Sequence, residues 1–374
     1  MEKVSVIGIG KLGLCFALTL EKSGYNVVGV DIVEDYVKSI NDKRLVTSEP
    51  GVREHLRASK NFRATVDIRE AVEHSDILFV VVATPSLSNG GYDHSQIDSV
   101  VEKLSSSGRQ ARTKHLIICA TVMPGYTDKI TERLKGEGFV ASYNPEFIAQ
   151  GSILRDQQSP DLVLIGEGNE NIGDTLENIY NNICVNSPSI KRMSPLSAEI
   201  CKISLNCFLT TKIAFANMIG DLAVTAGAQA DKVLEAIGTD TRVGNKCLRY
   251  GFGYGGPCLP RDNRALMAYA EEKDVKVPIS VASDESNFLH LKFQVEKFLK
   301  DTDKEEDVII EQVTYKPGTV ILEESQELKF AVEIAEKGYK VIIRESKEVI
   351  DNVRSLYGDL FEYQVRDRQH QHAA

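Results

Sequence analysis

The stretch that most restricts the fold lies at the start of the chain. Lys3 to Ile7 (K-V-S-V-I) is a short β-branched run that stops at Gly8-Ile9-Gly10-Lys11-Leu12-Gly13. Leu14, Ala17, Leu18 and Leu20 then give a helix its apolar side, and a second apolar run, Asn26 to Val30, ends on Asp31. Strand, glycine turn, helix, strand and acid in that order make a dinucleotide-binding unit. Gly8 makes the turn, Gly10 lets backbone approach a pyrophosphate, and Gly13 lets helix pack on strand. A carboxylate at Asp31 accepts hydrogen bonds from a ribose 2′-hydroxyl, so NAD is expected over NADP. A glycine triplet alone is a weak signal; its strand, helix and acid context make it specific.

The α/β rhythm continues. Asp76 to Ala83 carries a continuous apolar run, expected as a central parallel strand buried on both faces. Thr84-Pro85 ends it at the carboxyl edge, where ligands sit in open α/β sheets. His115 to Ala120 leads to Thr121-Val122-Met123-Pro124-Gly125, and Val140 to Tyr143 leads to Asn144-Pro145-Glu146-Phe147. Leu162 to Ile165 adds a strand before Gly166. Each polar residue after a strand, taken singly, is a cap or turn residue. Together Asp31, Thr84, Thr121 and Glu146 outline a cleft. The fold class expected is α/β, with an N-terminal Rossmann-like, doubly wound parallel sheet.

Near Ser194 the rhythm changes. Ser194-Pro195 starts a helix running to about Ala226, too long for a crossover and expected as a domain connector. Lys202 and Asn206 fall at i,i+4 on one face, with Glu199 one turn earlier. A lone lysine is ordinarily a solvated cation, but Ile200, Cys201 and Ile203 leave Lys202 little exposed surface. Phe208, Phe215, Met218, Ile219 and Leu222 offer other faces for packing, a subunit partner included. Further helices are expected over Asp231 to Ile237, Arg264 to Lys273 and Val281 to Leu299. After the charged linker Asp301 to Asp307, Val308 to Val313 and Lys340 to Ile343 read as strands flanking a helix, Gln326 to Lys337. The domains expected are 1–193, a central helical 194–300, and an abbreviated Rossmann-like 301–374.

Gly251 to Asp262 reads G-F-G-Y-G-G-P-C-L-P-R-D. Glycine loses entropy in regular structure and proline removes a donor, so the stretch is expected as a tight loop close to something flat or anionic. It delivers one thiol, Cys258, followed by Arg261 and Asp262. A cationic neighbour favours the thiolate, which is the nucleophilic form. The competing reading is a buried structural cysteine in a turn.

Composition narrows the classes. At 374 residues the chain has room for two or three domains. A net charge of −10 argues against a nucleic-acid footprint. Seven cysteines, without C-x-x-C spacing and without a leader ahead of the first strand, suggest reduced thiols in the cytosol. The longest strongly apolar run, Ile77 to Ala83, is too short to span a membrane. The seven histidines show no ligand spacing, so no metal is expected. The polar ending, Gln369 to Ala374, is expected to fray.

With these residues in place, the chain resembles the UDP-glucose/GDP-mannose dehydrogenase family, the UDP-glucose branch most closely. The likeness rests on G-I-G-K-L-G, T-V-M-P-G at 121–125, N-P-E-F at 144–147 and A-E-I-C-K-I-S-L-N at 198–206. T-R-V-G at 241–244 and F-G-Y-G-G-P-C-L-P-R-D at 252–262 complete it. It implies two Rossmann-like domains joined by a long helix used for homodimerisation. It also implies NAD-dependent four-electron oxidation of UDP-glucose to UDP-glucuronate, with GDP-mannose as the alternative substrate. Cys258 would carry the thiohemiacetal and thioester, Lys202 and Asn206 would stabilise oxyanions, and Asp262, Glu146 and Thr121 would handle protons and water. Gly8, Gly10, Lys11, Leu12, Gly13, Asp31, Thr84, Pro85, Thr121, Gln150 and Arg261 would hold the cofactor. Glu146, Phe147, Ile148, Lys202, Asn206, Arg249, Tyr250, Phe252, Tyr254, Gly255 and Lys316 would hold the nucleotide-sugar, with Arg242 reaching the neighbouring subunit's substrate.

Three features depart from the family pattern: Gln150 where a glutamate is usual, Glu323 where an arginine is usual, and a short C-terminal domain. They keep a non-catalytic nucleotide-sugar-binding protein in view. A two-electron β-hydroxyacid dehydrogenase, which shares the glycine loop and a helical Lys-x-x-x-Asn but needs no thiol, is a further reading.

Overall fold

The computed structural model describes residues 1–47, 49–148 and 151–366. Contacts divide the chain into two compact units, Met1–Ile203 and Ser204–Ala374.

The first unit alternates β1 (Lys3–Ile7), α1 (Lys11–Lys22), β2 (Asn26–Val30), α2 (Glu34–Asn41), α3 (Val52–Ala58), β3 (Phe62–Thr65), α4 (Ile68–His74) and β4 (Ile77–Val80). It continues with α5 (Ser95–Ser106), β5 (Lys114–Ile118), α6 (Tyr126–Arg133), β6 (Phe139–Tyr143), α7 (Ile153–Gln158), β7 (Leu162–Gly166), α8 (Glu170–Ile183) and β8 (Ser189–Met193). The strands form one sheet in the order β3-β2-β1-β4-β5-β6-β7-β8. Alternate side chains point to opposite faces, so Val4, Val6, Phe79 and Ile117 enter one core. Ile7, Leu78, Val80, Leu116 and Ile118 enter the other.

Register explains why function collects at one edge. Ile7 lies opposite both Val30 and Val80, Val80 opposite Ile118, and Ile118 opposite Tyr143. The strands therefore end in line, and Asp31, Gly8, Thr121 and Glu146 follow within a few residues of that line. The chain order reverses between β1 and β4, the switch point where open α/β sheets bind ligands.

Several elements differ from the sequence reading. The sheet is not wholly parallel: β7 meets β6 antiparallel, at Tyr143 and Gly166, and β8 runs parallel to β7. The run through Ala83 stops pairing at Val80, because Gly8 turns β1 away after Ile7. The strands β3 and β8 were not foreseen; β8 (S-I-K-R-M) is a largely polar edge strand without an apolar signature.

The helix α9 (Pro195–Thr225) has 31 residues and runs across the division between the units. Among the described residues it is one helix long and apolar enough, by length and composition, to cross a bilayer. Its apolar character is spread along the helix and not gathered in one uninterrupted run, because polar residues punctuate its sequence. Those residues are satisfied by protein: Glu199 accepts from Thr127 N, Asn206 donates to Asp262, and Asn217 donates to Phe252 O.

The second unit adds α10 (Ala230–Thr239), α11 (Leu259–Glu272), α12 (Pro278–Asp301), β9 (Val308–Ile310), α13 (Gln326–Glu336), β10 (Val341–Glu345), α14 (Lys347–Tyr357) and β11 (Glu362–Val365). β10 pairs in parallel with β9 and β11. Val341, Ile343, Phe330, Ile334, Val349 and Val353 form the core of this small α/β layer. The helix α11 begins at Leu259, not Arg264, so the end of the G-F-G-Y-G-G-P-C-L-P-R-D stretch is helical. Pro260 is compatible because the first helical turn has no use for its missing N–H.

Candidate active site

In the first unit, the glycine turn is shaped for a dinucleotide. Gly8 has φ +88, and a Cβ there would lie 2.6 Å from Val81 O. A Cβ on Gly13 would overlap the carbonyl oxygen of Gly8, so α1 packs tightly on the turn. A Cβ on Gly10 would meet nothing within 4 Å, which leaves that side open. Gly10 is the N-cap of α1 and supplies no side-chain acceptor, and the start of such a helix attracts anions. Lys11 is exposed and Leu12 half-buried at the same turn. Asp31 accepts Val33 N at 3.1 Å and retains acceptor capacity for hydroxyls. These residues fit NAD: an anion-receptive helix start, a backbone cradle and a carboxylate at the end of β2.

The neighbouring strand ends are tied together. Buried Thr84 donates to Thr121 O at 2.7 Å, with Pro85 exposed beside it. Met123 N donates to His94 Nε2 at 3.2 Å, and the His94 ring stacks on Tyr126 at 3.8 Å. The buried Glu199 carboxylate accepts Gly125 N at 2.5 Å, Thr127 N at 2.8 Å and Thr127 Oγ1 at 2.6 Å. It thereby fastens α9 to the start of α6.

The N-P-E-F loop is equally fixed. Asn144 Nδ2 donates to Leu164 O at 2.9 Å, and Tyr180 donates to Asn144 Oδ1 at 2.7 Å. Lys202, 6% exposed, donates to the Glu146 carbonyl oxygen at 2.8 Å, with its ammonium 4.1 Å from the centroid of the Phe147 ring. Burial raises the Glu146 carboxyl to about 7, against the opposing pull of Lys202. The residue is only partly buried as a whole, but its carboxyl is the desolvated end. Ile148 is half-buried alongside. Gln150 lies outside the described residues, as does the polar C-terminal ending.

In the second unit, Cys258 is the N-cap of α11 and is exposed. A helix N-terminus favours the thiolate. One turn inside, Asp262 is 1% exposed and accepts Asn206 Nδ2 at 2.6 Å. Arg261 Nε stands 3.4 Å from Asp262 Oδ1. The buried Cys207 thiol donates to Asp262 O at 3.6 Å, and burial pushes it up to about 12, so it is no competing nucleophile. The predicted trio Cys258, Asn206 and Asp262 thus shares one small region of this unit.

The loop before Cys258 is held residue by residue. Asn217 accepts Gly251 N at 3.1 Å and donates to Phe252 O at 3.2 Å. Asn287 accepts Tyr254 N at 2.8 Å and donates to Tyr254 O at 3.0 Å. Tyr254 donates to Asp284 at 3.0 Å, and Phe252 meets Phe330 edge-on at 5.7 Å. Gly255 is half-buried and Arg249 exposed. Arg242 is exposed and paired with Asp240 at 2.7 Å. The Lys316 carbonyl accepts Thr319 Oγ1 at 2.9 Å. Glu323 is exposed, while Glu324 pairs with Arg264 at 2.7 Å. Asn217, Asn287, Asp221 and His290 carry no motif that sequence reading could have flagged. Among the described residues, no group of three or more His, Cys, Asp or Glu could hold a metal ion.

Known proteins resemble this chain in sequence and fold. The NAD-binding domain of the UDP-glucose/GDP-mannose dehydrogenase family matches residues 2–184, and its central domain matches residues 196–288. A GDP-mannose 6-dehydrogenase of Pseudomonas syringae pv. tomato is 30% identical over 97% of this chain and 85% of its own length. A UDP-glucose 6-dehydrogenase of Haloferax volcanii is 28% identical over 96% of this chain and 86% of its own. The structure of a UDP-glucose dehydrogenase from Pyrobaculum islandicum superposes with a TM-score of 0.87 at 29% identity, covering 98% of this chain and 86% of that one. Matched domains, shared fold and a fitting dinucleotide cradle agree: the chain belongs to the UDP-glucose/GDP-mannose dehydrogenase family, whose cofactor is NAD.

Proposed function

We propose that this nucleotide-sugar dehydrogenase carries out the four-electron oxidation of UDP-glucose to UDP-glucuronate. The observation that carries the reading is Cys258 at the start of α11, with the Asn206–Asp262 pair one turn inside. When bound, NAD would accept hydride from C6 of the sugar, one NAD for each of the two oxidations.

Every other task falls to the chain. The Cys258 sulfur adds to the C6 aldehyde as a thiohemiacetal, and after the second oxidation water opens the thioester to the carboxylate. A covalent thiol divides one difficult oxidation into steps that release no aldehyde. Negative charge builds on the sugar oxygen at each stage, and the Lys202 ammonium and the remaining N–H of Asn206 suit its stabilisation. A carboxyl near 7, as in Glu146, is matched to taking up and returning protons at neutral pH. Thr121, held by Thr84, is suited to placing the hydrolytic water. Gln150, Arg261, Arg249, Lys316 and the rest of the loop bind cofactor and nucleotide-sugar in this reading. The nucleophile works only while reduced, which suits the cytosol.

The assembly proposed is a homodimer through α9. Phe208, Phe215 and Leu222, spaced by seven residues, and Met218 between them are exposed along it. A second substrate reading, GDP-mannose, is favoured by the Pseudomonas syringae relative, which is 30% identical against 28% for the Haloferax volcanii UDP-glucose enzyme. The deciding experiment follows NADH absorbance with UDP-glucose, GDP-mannose and UDP-N-acetylmannosamine in parallel. Two NADH per UDP-glucose is the expected result. Turnover of GDP-mannose alone selects the second reading, one NADH per sugar removes the covalent mechanism, and ligand binding without NADH marks a non-catalytic protein.

A further inference from the structure

The His290 ring sits where α9, α12 and the loop before Cys258 meet. Its Nδ1 is 3.0 Å from Asp221 Oδ1 and 2.8 Å from Asp221 Oδ2, and its Nε2 is 2.6 Å from the Gly251 carbonyl oxygen. A carboxylate and a carbonyl can only accept. A neutral imidazole has one N–H, so it would set a lone pair against an oxygen on one side. We propose that His290 is the positioning residue of the substrate loop, holding Gly251 as an imidazolium with a proton on both ring nitrogens.

The alternative placement moves the proton to Asp221, leaving a neutral ring. Both Asp221 oxygens lie within hydrogen-bond distance of Nδ1, the arrangement of a carboxylate that accepts from a ring N–H. Tyr250 also donates to Asp221 Oδ1, at 2.9 Å, which further suits an ionised carboxylate. His290 is 2% exposed, so its ring cannot exchange these partners for water. Breaking one side of a buried charge pair is strongly unfavourable.

The surroundings are built to keep this contact. A Cβ on Gly220 of α9 would overlap the Tyr250 ring, so only glycine lets that tyrosine lie against the helix and reach Asp221. The Tyr250 ring meets His290 edge-on at 5.8 Å. Gln294 adds a second donor to Gly251 O at 3.1 Å, while Asn217 takes Gly251 N. Both backbone polar groups of a glycine are thus fixed, between Tyr250 and Phe252. A glycine loop is otherwise the costliest backbone to order, and ordering it beforehand removes that cost from ligand binding.

This inference rests on the reading in which that loop holds the nucleotide-sugar, and it assigns His290 to binding, not to bond-making. Two measurements test it. Nitrogen-15 NMR of histidine-labelled wild-type protein at neutral pH should place both His290 nitrogens in the protonated range; one bare ring nitrogen overturns the proposal whatever the enzyme's activity. His290→Gln keeps a donor but cannot span both oxygens. It should raise KM for the nucleotide-sugar about tenfold while kcat at saturation stays within about twofold. Alkylation of Cys258 by iodoacetamide should be unchanged, which reports intact folding. Unchanged KM in that variant overturns the positioning role. If wild-type protein oxidises no nucleotide-sugar, the functional reading fails and the NMR result still decides the state of His290.

Discussion

The Lys202 ammonium donates to the backbone oxygen of Glu146 at 2.8 Å, in a loop whose carboxyl is raised to about 7. Position and electrostatics are thereby coupled: the cation that fixes the loop also opposes the desolvation of its acid.

The coupling has a sign. If the ionised Glu146 is the working form, kcat/KM climbs as pH rises through about 7, and Glu146→Gln flattens that limb. Removing a nearby cation disfavours the carboxylate, so Lys202→Met moves the Glu146 titration to higher pH, readable by carbon-13 NMR of labelled glutamate. Because the folded value lies above the ordinary carboxyl value, wild-type stability falls as pH rises from the ordinary carboxyl range to about 7 and levels off above it. Melting temperatures of Glu146→Gln relative to wild type should therefore improve from pH 5 to pH 8.

Cys258→Ala should lower uronate formation by on the order of a thousandfold or more, while the fold and NAD binding persist. Mass spectrometry of wild type quenched in turnover should find the sugar adduct on this residue. Full turnover in the alanine variant would return the protein to the two-electron dehydrogenases.

Asn206 and Asp262 form a buried hydrogen bond of 2.6 Å. Asn206→Asp places two carboxyls in contact and should destabilise the fold by about 3–5 kcal/mol in denaturant titration. Adding Asp262→Asn restores a donor–acceptor pair, and most of the stability should return. Additive losses in the double variant would show that the contact contributes nothing.

Gly13→Ala puts a methyl group on the Gly8 carbonyl. Either α1 lifts off the turn or the turn opens, and NAD affinity measured by calorimetry should fall at least tenfold by order of magnitude. Gly10→Ala meets open space and should weaken the fold far less.

Phe208 and Leu222 are each 65% exposed on α9. Aspartate at both positions should shift sedimentation velocity from dimer to monomer in the proposed assembly; an unchanged dimer places the interface elsewhere.

The N-terminal half was legible because its rules are local. Apolar runs, glycine turns and the polar residue after each strand follow from backbone geometry, and register then gathers them at one edge. The Lys202 and Asn206 spacing was legible from helical periodicity alone. What stayed hidden depends on pairing across long sequence distances. The polar edge strand β8 has no apolar pattern, and the reversed direction of β7 leaves no mark in its residues. The supports His290, Asn217 and Asn287 are ordinary polar residues until folding shows what each holds. Pro260 misled in the other direction: beside so many glycines it looked like loop, yet a first helical turn accepts it.

The placement of Cys258 carries one more consequence. An accessible sulfur at the head of a helix is readied for peroxide as well as for an aldehyde, and sulfinic acid has no route back without a dedicated repair enzyme. In the proposed mechanism the working life of the enzyme is therefore limited by oxidants in its surroundings as well as by heat.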